Sequence, residues 1–102
     1  MDLSSVAKAL TDDVRTEKGS RFRNYVLYNE HTQKFNSHDV LKDNNVWTNI
    51  IGKKLTTKSA QDIMNALEQL CMHELPGYAV FWMRESRSGG NTGNMSLYIS
   101  NK

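Results

Sequence analysis

His31, His38, His73, Cys71 and the pair Asp12-Asp13 are the side chains best suited to catalysis or metal binding, and their spacing argues against both. The three histidines fall in three different predicted elements. Cys71 and His73 stand two residues apart, which on a helix turns them about 200° away from each other, too far to share an ion. A nucleophilic thiol needs an electropositive niche, whereas Cys71 has Glu68 and Glu74 as neighbours. Asp12 and Asp13 diverge by about 100° on a helix and read as solvated surface. Gly89-Gly90 and Gly93 make no phosphate cradle, because no Gly-Lys-Ser/Thr follows and the segment joins two predicted strands. Dinucleotide, zinc, calcium and nucleophile-elbow motifs are all missing. The sequence therefore predicts no enzyme, no metal and no cofactor.

Binding chemistry is better represented. Lys53, Lys54 and Lys58 precede or open a predicted helix, where positive charge and free N–H groups suit an anionic partner. Arg84, Arg87, Asn91 and Asn94, with Ser88 and Thr92, decorate a Gly/Asn/Ser-rich stretch between two apolar runs. These seven lysine, arginine and asparagine side chains are the candidate contacts for nucleic acid or another partner.

The elements that must position them follow from periodicity. Leu3, Val6, Leu10 and Val14 recur at three- and four-residue intervals and predict an amphipathic helix over 2–17, closed by Lys18 and Gly19. Phe22, Tyr25, Val26, Leu27 and Tyr28 predict a strand, with Tyr25 and Tyr28 on opposite faces if the strand is regular. Residues 29–32 read as a turn and 33–35 as a short return strand. Ser37 caps a predicted helix that begins at His38, carries Val40, Leu41, Trp47, Ile50 and Ile51, and ends at Gly52.

The strongest helical pattern covers 57–74. Ala60, Ile63, Met64, Leu67, Leu70 and Cys71 form its core stripe, with Thr56, Thr57 or Ser59 as cap and Pro76-Gly77 as stop. Met64 and Met72 are expected to fill gaps in the core, and Cys71 to be a buried, quiet thiol. Residues 78–83 and 95–100 predict an antiparallel hairpin, Phe81 and Trp82 pointing to opposite faces. The residues between, 85–94, read as a mobile polar loop.

Length and composition bound the rest. One hundred and two residues predict a single domain over 1–102, and 38% hydrophobic with 24% charged residues is ordinary for a globular chain. The net charge of +2 comes from three basic islands, 15–34, 53–59 and 84–102, separated by acidic stretches. A lone cysteine excludes an internal disulfide. No charged segment followed by an apolar core opens the sequence, and no run approaches the ~18–20 apolar residues of a membrane span. The expectation is a cytoplasmic protein without a membrane partner, in the host cytoplasm if viral.

The predicted order, helix-strand-helix-helix-strand-loop-strand, resembles the winged-helix variant of the helix-turn-helix over nearly the whole chain. That resemblance implies a small α+β fold with a C-terminal β-hairpin. Its third helix, 57–74, would enter a DNA groove and its wing, 85–94, would touch the backbone. The leading expectation is accordingly a nucleic-acid-binding or transcription-regulating module. Past Lys58, however, the third helix offers Asp62, Glu68 and Glu74 and no basic residue, the wrong sign for a phosphate-lined groove. The alternative is a small accessory or inhibitor protein of viral or phage type, bound to a larger protein or nucleoprotein complex. Aromatics on both faces of the sheet would favour such an interface or a homodimer. The surface around Lys53, Lys54, Lys58 and Arg87 discriminates: one continuous positive face favours nucleic acid, and a mixed face with an exposed aromatic favours protein.

Overall fold

The computed structural model describes residues 3–16, 22–35 and 53–101, and the helix expected from 38 lies outside them. Helix α1, Leu3–Thr16, buries Val6, Leu10 and Val14 of the stripe read from the sequence, with Ala7 beside them and Thr11 added, and leaves Leu3 partly buried. Strand β1, Phe22–Asn29, is followed by a tight turn and by the two-residue strand β2, Lys34–Phe35. The turn is held by Asn29, whose Oδ1 accepts from the backbone N–H groups of His31 at 2.9 Å and Thr32 at 3.1 Å. Such self-bonding is why asparagine suits turns.

Helix α2 spans Thr57–Glu74. Of the three residues able to cap it, Thr56 does so, its Oγ1 accepting from the Ser59 N–H at 3.1 Å. Leu75, Pro76 and Gly77 end it, Gly77 at φ +91° where a side chain would be strained. Ala60, Met64, Leu67 and Cys71 are buried, while Ile63 and Leu70 are half-buried against the core. Met72 corrects the expectation of a second core methionine. It lies at the margin of the stripe and is 45% exposed.

Strands β3, Tyr78–Arg87, and β4, Gly90–Asn101, form a hairpin whose expected pairing of 78–83 with 95–100 is present. The expected loop is not. Only Ser88 and Gly89 turn the chain, both at positive φ, the two-residue geometry that matches strand twist. The long polar stretch is consumed as strand because Asn91, Thr92 and Asn94 direct their side chains back onto the ribbon.

All four strands join in one antiparallel sheet of order β2-β1-β4-β3. Both helices cover the same face. Tyr25, Leu97 and Trp82 lie in one row across β1, β4 and β3. Tyr25 donates its hydroxyl to Asp13 of α1 at 2.5 Å, and Trp82 donates Nε1–H to Asn65 of α2 at 2.8 Å. Tyr28 was expected on the opposite face from Tyr25, yet both are fully buried. A register shift between Val26 and Tyr28 inserts Leu27 as an extra residue, which returns Tyr28 to the helix-covered side. The described residues form a small α+β domain with a two-helix layer on a four-stranded antiparallel sheet. The winged-helix arrangement itself is not shown among them, since its expected second helix lies outside the described residues.

Candidate binding surface

The face opposite the helices is open among the described residues. Alternation along β1, β3 and β4 sends Phe22, Asn24, Phe81, Met83, Ser96 and Tyr98 to this side, out of phase with the buried Tyr25, Val80, Leu97 and Ile99. Tyr98 pairs across the strands with Phe81, and their rings stack with centroids 5.5 Å apart and planes 14° from parallel. On the other side the Phe22 ring lies 5.0 Å from that of Tyr98. Three aromatic rings thus form a row across three strands, and Met83 extends it along β3. Phe22 is 52%, Phe81 39% and Met83 49% exposed. Phe22 and Tyr98 were not singled out from the sequence as surface residues. Their parity relative to Tyr25 and Leu97 was the available signal.

The same face carries one carboxylate, Glu85, and it is almost buried. Its Oε2 accepts from the Ser96 hydroxyl at 3.5 Å, and its Oε1 lies 3.1 Å from Arg87 Nε. The register slips at Glu85, where Thr92, Gly93 and Asn94 of β4 oppose it. Thr92 Oγ1 donates to the Glu85 carbonyl at 3.2 Å, and Asn91 Oδ1 accepts from the Gly93 N–H at 2.9 Å. Asn94 Oδ1 accepts from Asn29 Nδ2 at 3.0 Å. The side chains of Asn91 and Asn94, expected to contact a partner from a loop, are therefore employed within the sheet.

The remaining five candidates do converge. Glu74 to Asn65 along α2 and Tyr78 to Trp82 along β3 both measure about 13 Å, so the Trp82–Asn65 bond fixes α2 antiparallel to β3. The start of α2, with Lys58, then lies at the same end as Arg84, Arg87 and the hairpin tip. Lys53 and Lys54 join this end because the Leu55 N–H donates to the Gln33 carbonyl at 3.1 Å and the Tyr28 hydroxyl to the Leu55 carbonyl at 3.1 Å. With Lys34 from β2, six basic side chains gather there. Two acids interrupt them. Arg84 binds Glu30 Oε1 through Nε at 3.2 Å and Nη2 at 3.0 Å, and Arg87 pairs with Glu85. The surface is mixed in sign.

Toward the opposite end of the molecule acids are paired with bases, Asp13 with Arg23 at 3.7 Å and Asp12 with Lys8 at 2.7 Å. Arg15 of α1 donates to the Glu74 carbonyl at the end of α2 and lies 4.0 Å from Asp12. Burial raises the Glu68 carboxyl above its ordinary value.

Cys71 is buried, as expected, and burial together with the charge of Glu74 pushes its thiol up to about 12, far from a reactive thiolate. No cluster of three or more histidine, cysteine or acidic side chains able to hold a metal occurs among the described residues. No helix among them is long and apolar enough to cross a membrane. Comparison with known proteins gives no match to a family model, to a curated protein or to a solved structure.

Proposed function

We propose that this chain is a non-enzymatic accessory module that binds a larger protein through the open face of its sheet. The observation that supports this reading is the exposed row Phe22–Tyr98–Phe81 with Met83 beside it. A contiguous apolar patch rimmed by polar groups is the kind of surface that proteins use to dock. Aromatic residues, methionine and arginine are the types enriched at such contacts. Asn24, Ser100, Lys34 and Arg87 supply the polar rim here. Rim cations would steer an acidic-edged partner and fix its orientation more than they would add affinity.

A second reading keeps nucleic acid as the partner, through a winged-helix-like face on α2 and the hairpin. The gathering of six basic side chains at one end favours it. Against it, Arg84 and Arg87 already face carboxylates, and the outward side of α2 offers Asp62.

Affinity capture from an extract of the source cell, with and without nuclease, separates the two when repeated with altered bait. A partner that survives nuclease, is retained by Lys53→Ala/Lys54→Ala bait and is lost by Phe22→Ser bait supports the protein reading. A partner that nuclease removes, and that the lysine changes weaken with a shallower salt dependence, overturns it in favour of nucleic acid.

A further inference from the structure

Among the described residues no strand pairs with the outer edge of β3. Sheet order places β3 and β2 at the two edges, but β2 offers two residues and β3 ten. Natural edge strands are protected by proline, lysine, inward charge or a bulge, because an unpaired row of N–H and C=O groups is a template for another strand. Tyr78-Ala79-Val80-Phe81-Trp82-Met83 carries none of these, and its register with β4 is regular from Tyr78 to Arg84. The first irregularity comes beyond Arg84, toward the hairpin tip.

We propose that two copies of this chain pair antiparallel through their β3 edges, joining two four-stranded sheets into one of eight strands. This does not depend on what the open face binds. Four observations commit the edge to a second copy. The regular stretch Tyr78–Arg84 is centred on Phe81, so a two-fold axis that uses all of it passes beside Phe81 and sets Ala79 opposite the partner's Met83. Every side chain then stays on its own face. The ring rows of the two copies meet at Phe81, and the small Ala79 leaves room for the half-exposed Met83.

The helix layer also has space. The described residues of each copy lay two helices on four strands, about 19 Å of sheet for two helices of about 10 Å each, so these four helices fit on eight strands. Along α2, Gln61, Asn65, Glu68 and Met72 form one stripe at i, i+4, i+7 and i+11. Asn65 contacts Trp82, which places this stripe over the β3 edge. Met72, exposed in the single copy, would face the partner's α2 across the axis. The fourth observation is charge. Antiparallel pairing lays the basic hairpin end of one copy, with Lys58 and Arg87, alongside the Glu74 end of the other. An isologous contact of this kind closes on itself and stops at two.

Sedimentation velocity on the purified chain over a range of concentrations should give a monomer–dimer equilibrium. A monomer throughout, or open-ended assembly, overturns the proposal. Phe81→Lys sets two like charges facing each other at the axis and should weaken self-association at least roughly 10-fold. Because Phe81 is a surface residue, far-UV circular dichroism should show the fold retained. Disulfide trapping locates the contact independently, since the buried Cys71 does not compete. Phe81→Cys should cross-link under mild oxidation and Phe22→Cys, two strands from the edge, should not. Cross-linking through Phe22→Cys alone would identify a face-to-face dimer and refute edge pairing.

Discussion

Two neighbouring rows of the sheet show how similar side chains come to opposite ends. The row Tyr25–Leu97–Trp82 is covered by helices, and each aromatic tip in it finds a helix partner: Tyr25 reaches Asp13 and Trp82 reaches Asn65. The adjacent row, one residue along each strand, carries Tyr98 and Phe81 with Phe22 alongside, and those rings pack on one another. Aromatic content does not separate the rows. What separates them is strand parity: the inner row faces the helices, which offer acceptors to the Tyr25 hydroxyl and the Trp82 indole N–H, and the outer row faces away. The inner row is committed to folding, and the outer row is left for association.

The sharpest way to break this contrast is truncation in each row. Leu97→Ala, at the fully buried centre of the inner row, should cost about 2–5 kcal/mol in equilibrium denaturation. A cost near zero would mean that the helices do not cover this face. Gly93→Ala comes next. Gly93 has φ +81°, and a Cβ there would run into the imidazole of His31, so the change should cost about 1–3 kcal/mol. Adding His31→Ala should return the part owed to the collision and leave the backbone part.

Phe22→Ser in the outer row should change stability by under about 1 kcal/mol while abolishing partner capture. A large loss of stability instead would place Phe22 in the folding core. The smallest effect expected is that of Glu68→Gln. A carboxyl whose folded value is raised by burial favours the native state while protonated, and that contribution is lost as pH rises through the raised value. The substitution should therefore raise Tm slightly at pH 7 and leave it unchanged at a pH below the ordinary glutamate value of about 4.3. An equal gain at both pH values would point to packing instead of charge.

Helix α2 was readable to its end residues because three local signals agree there: the Ala60–Cys71 stripe, the Thr56 cap and the Pro76-Gly77 stop. The pairing of 78–83 with 95–100 was readable from alternation. Two features were not. The bulge at Leu27 leaves no mark in a run of apolar residues, so Tyr28 reads as outward when counted by twos and turns inward in the fold. The stretch 85–94 reads as loop by composition, yet Thr92 bonds the Glu85 carbonyl across the ribbon and Asn94 bonds the Asn29 side chain on the neighbouring strand. Those partners are tertiary and invisible to a count of glycines. For the candidate surface, the sequence indicated the cations and that Phe81 and Trp82 face opposite sides of their strand, not which of the two is outward. It did not indicate that Phe22 and Tyr98 would flank Phe81, which depends on a register between strands far apart in the chain.

The tight turn at Ser88-Gly89 also bears on the order in which the molecule assembles. Strands β3 and β4 meet through two residues, so their pairing requires almost no loop closure and can form on the microsecond scale of a hairpin. Strand β1 is the opposite case, since Phe22 must find Ser100 across nearly the whole chain. Loop-closure entropy therefore predicts that the C-terminal ribbon with α2 forms first and that α1 and β1 dock onto it later. Until they arrive, the apolar residues of β4 stand open to water. The chain is most vulnerable to misassembly in that interval, before its N-terminal third has found its place.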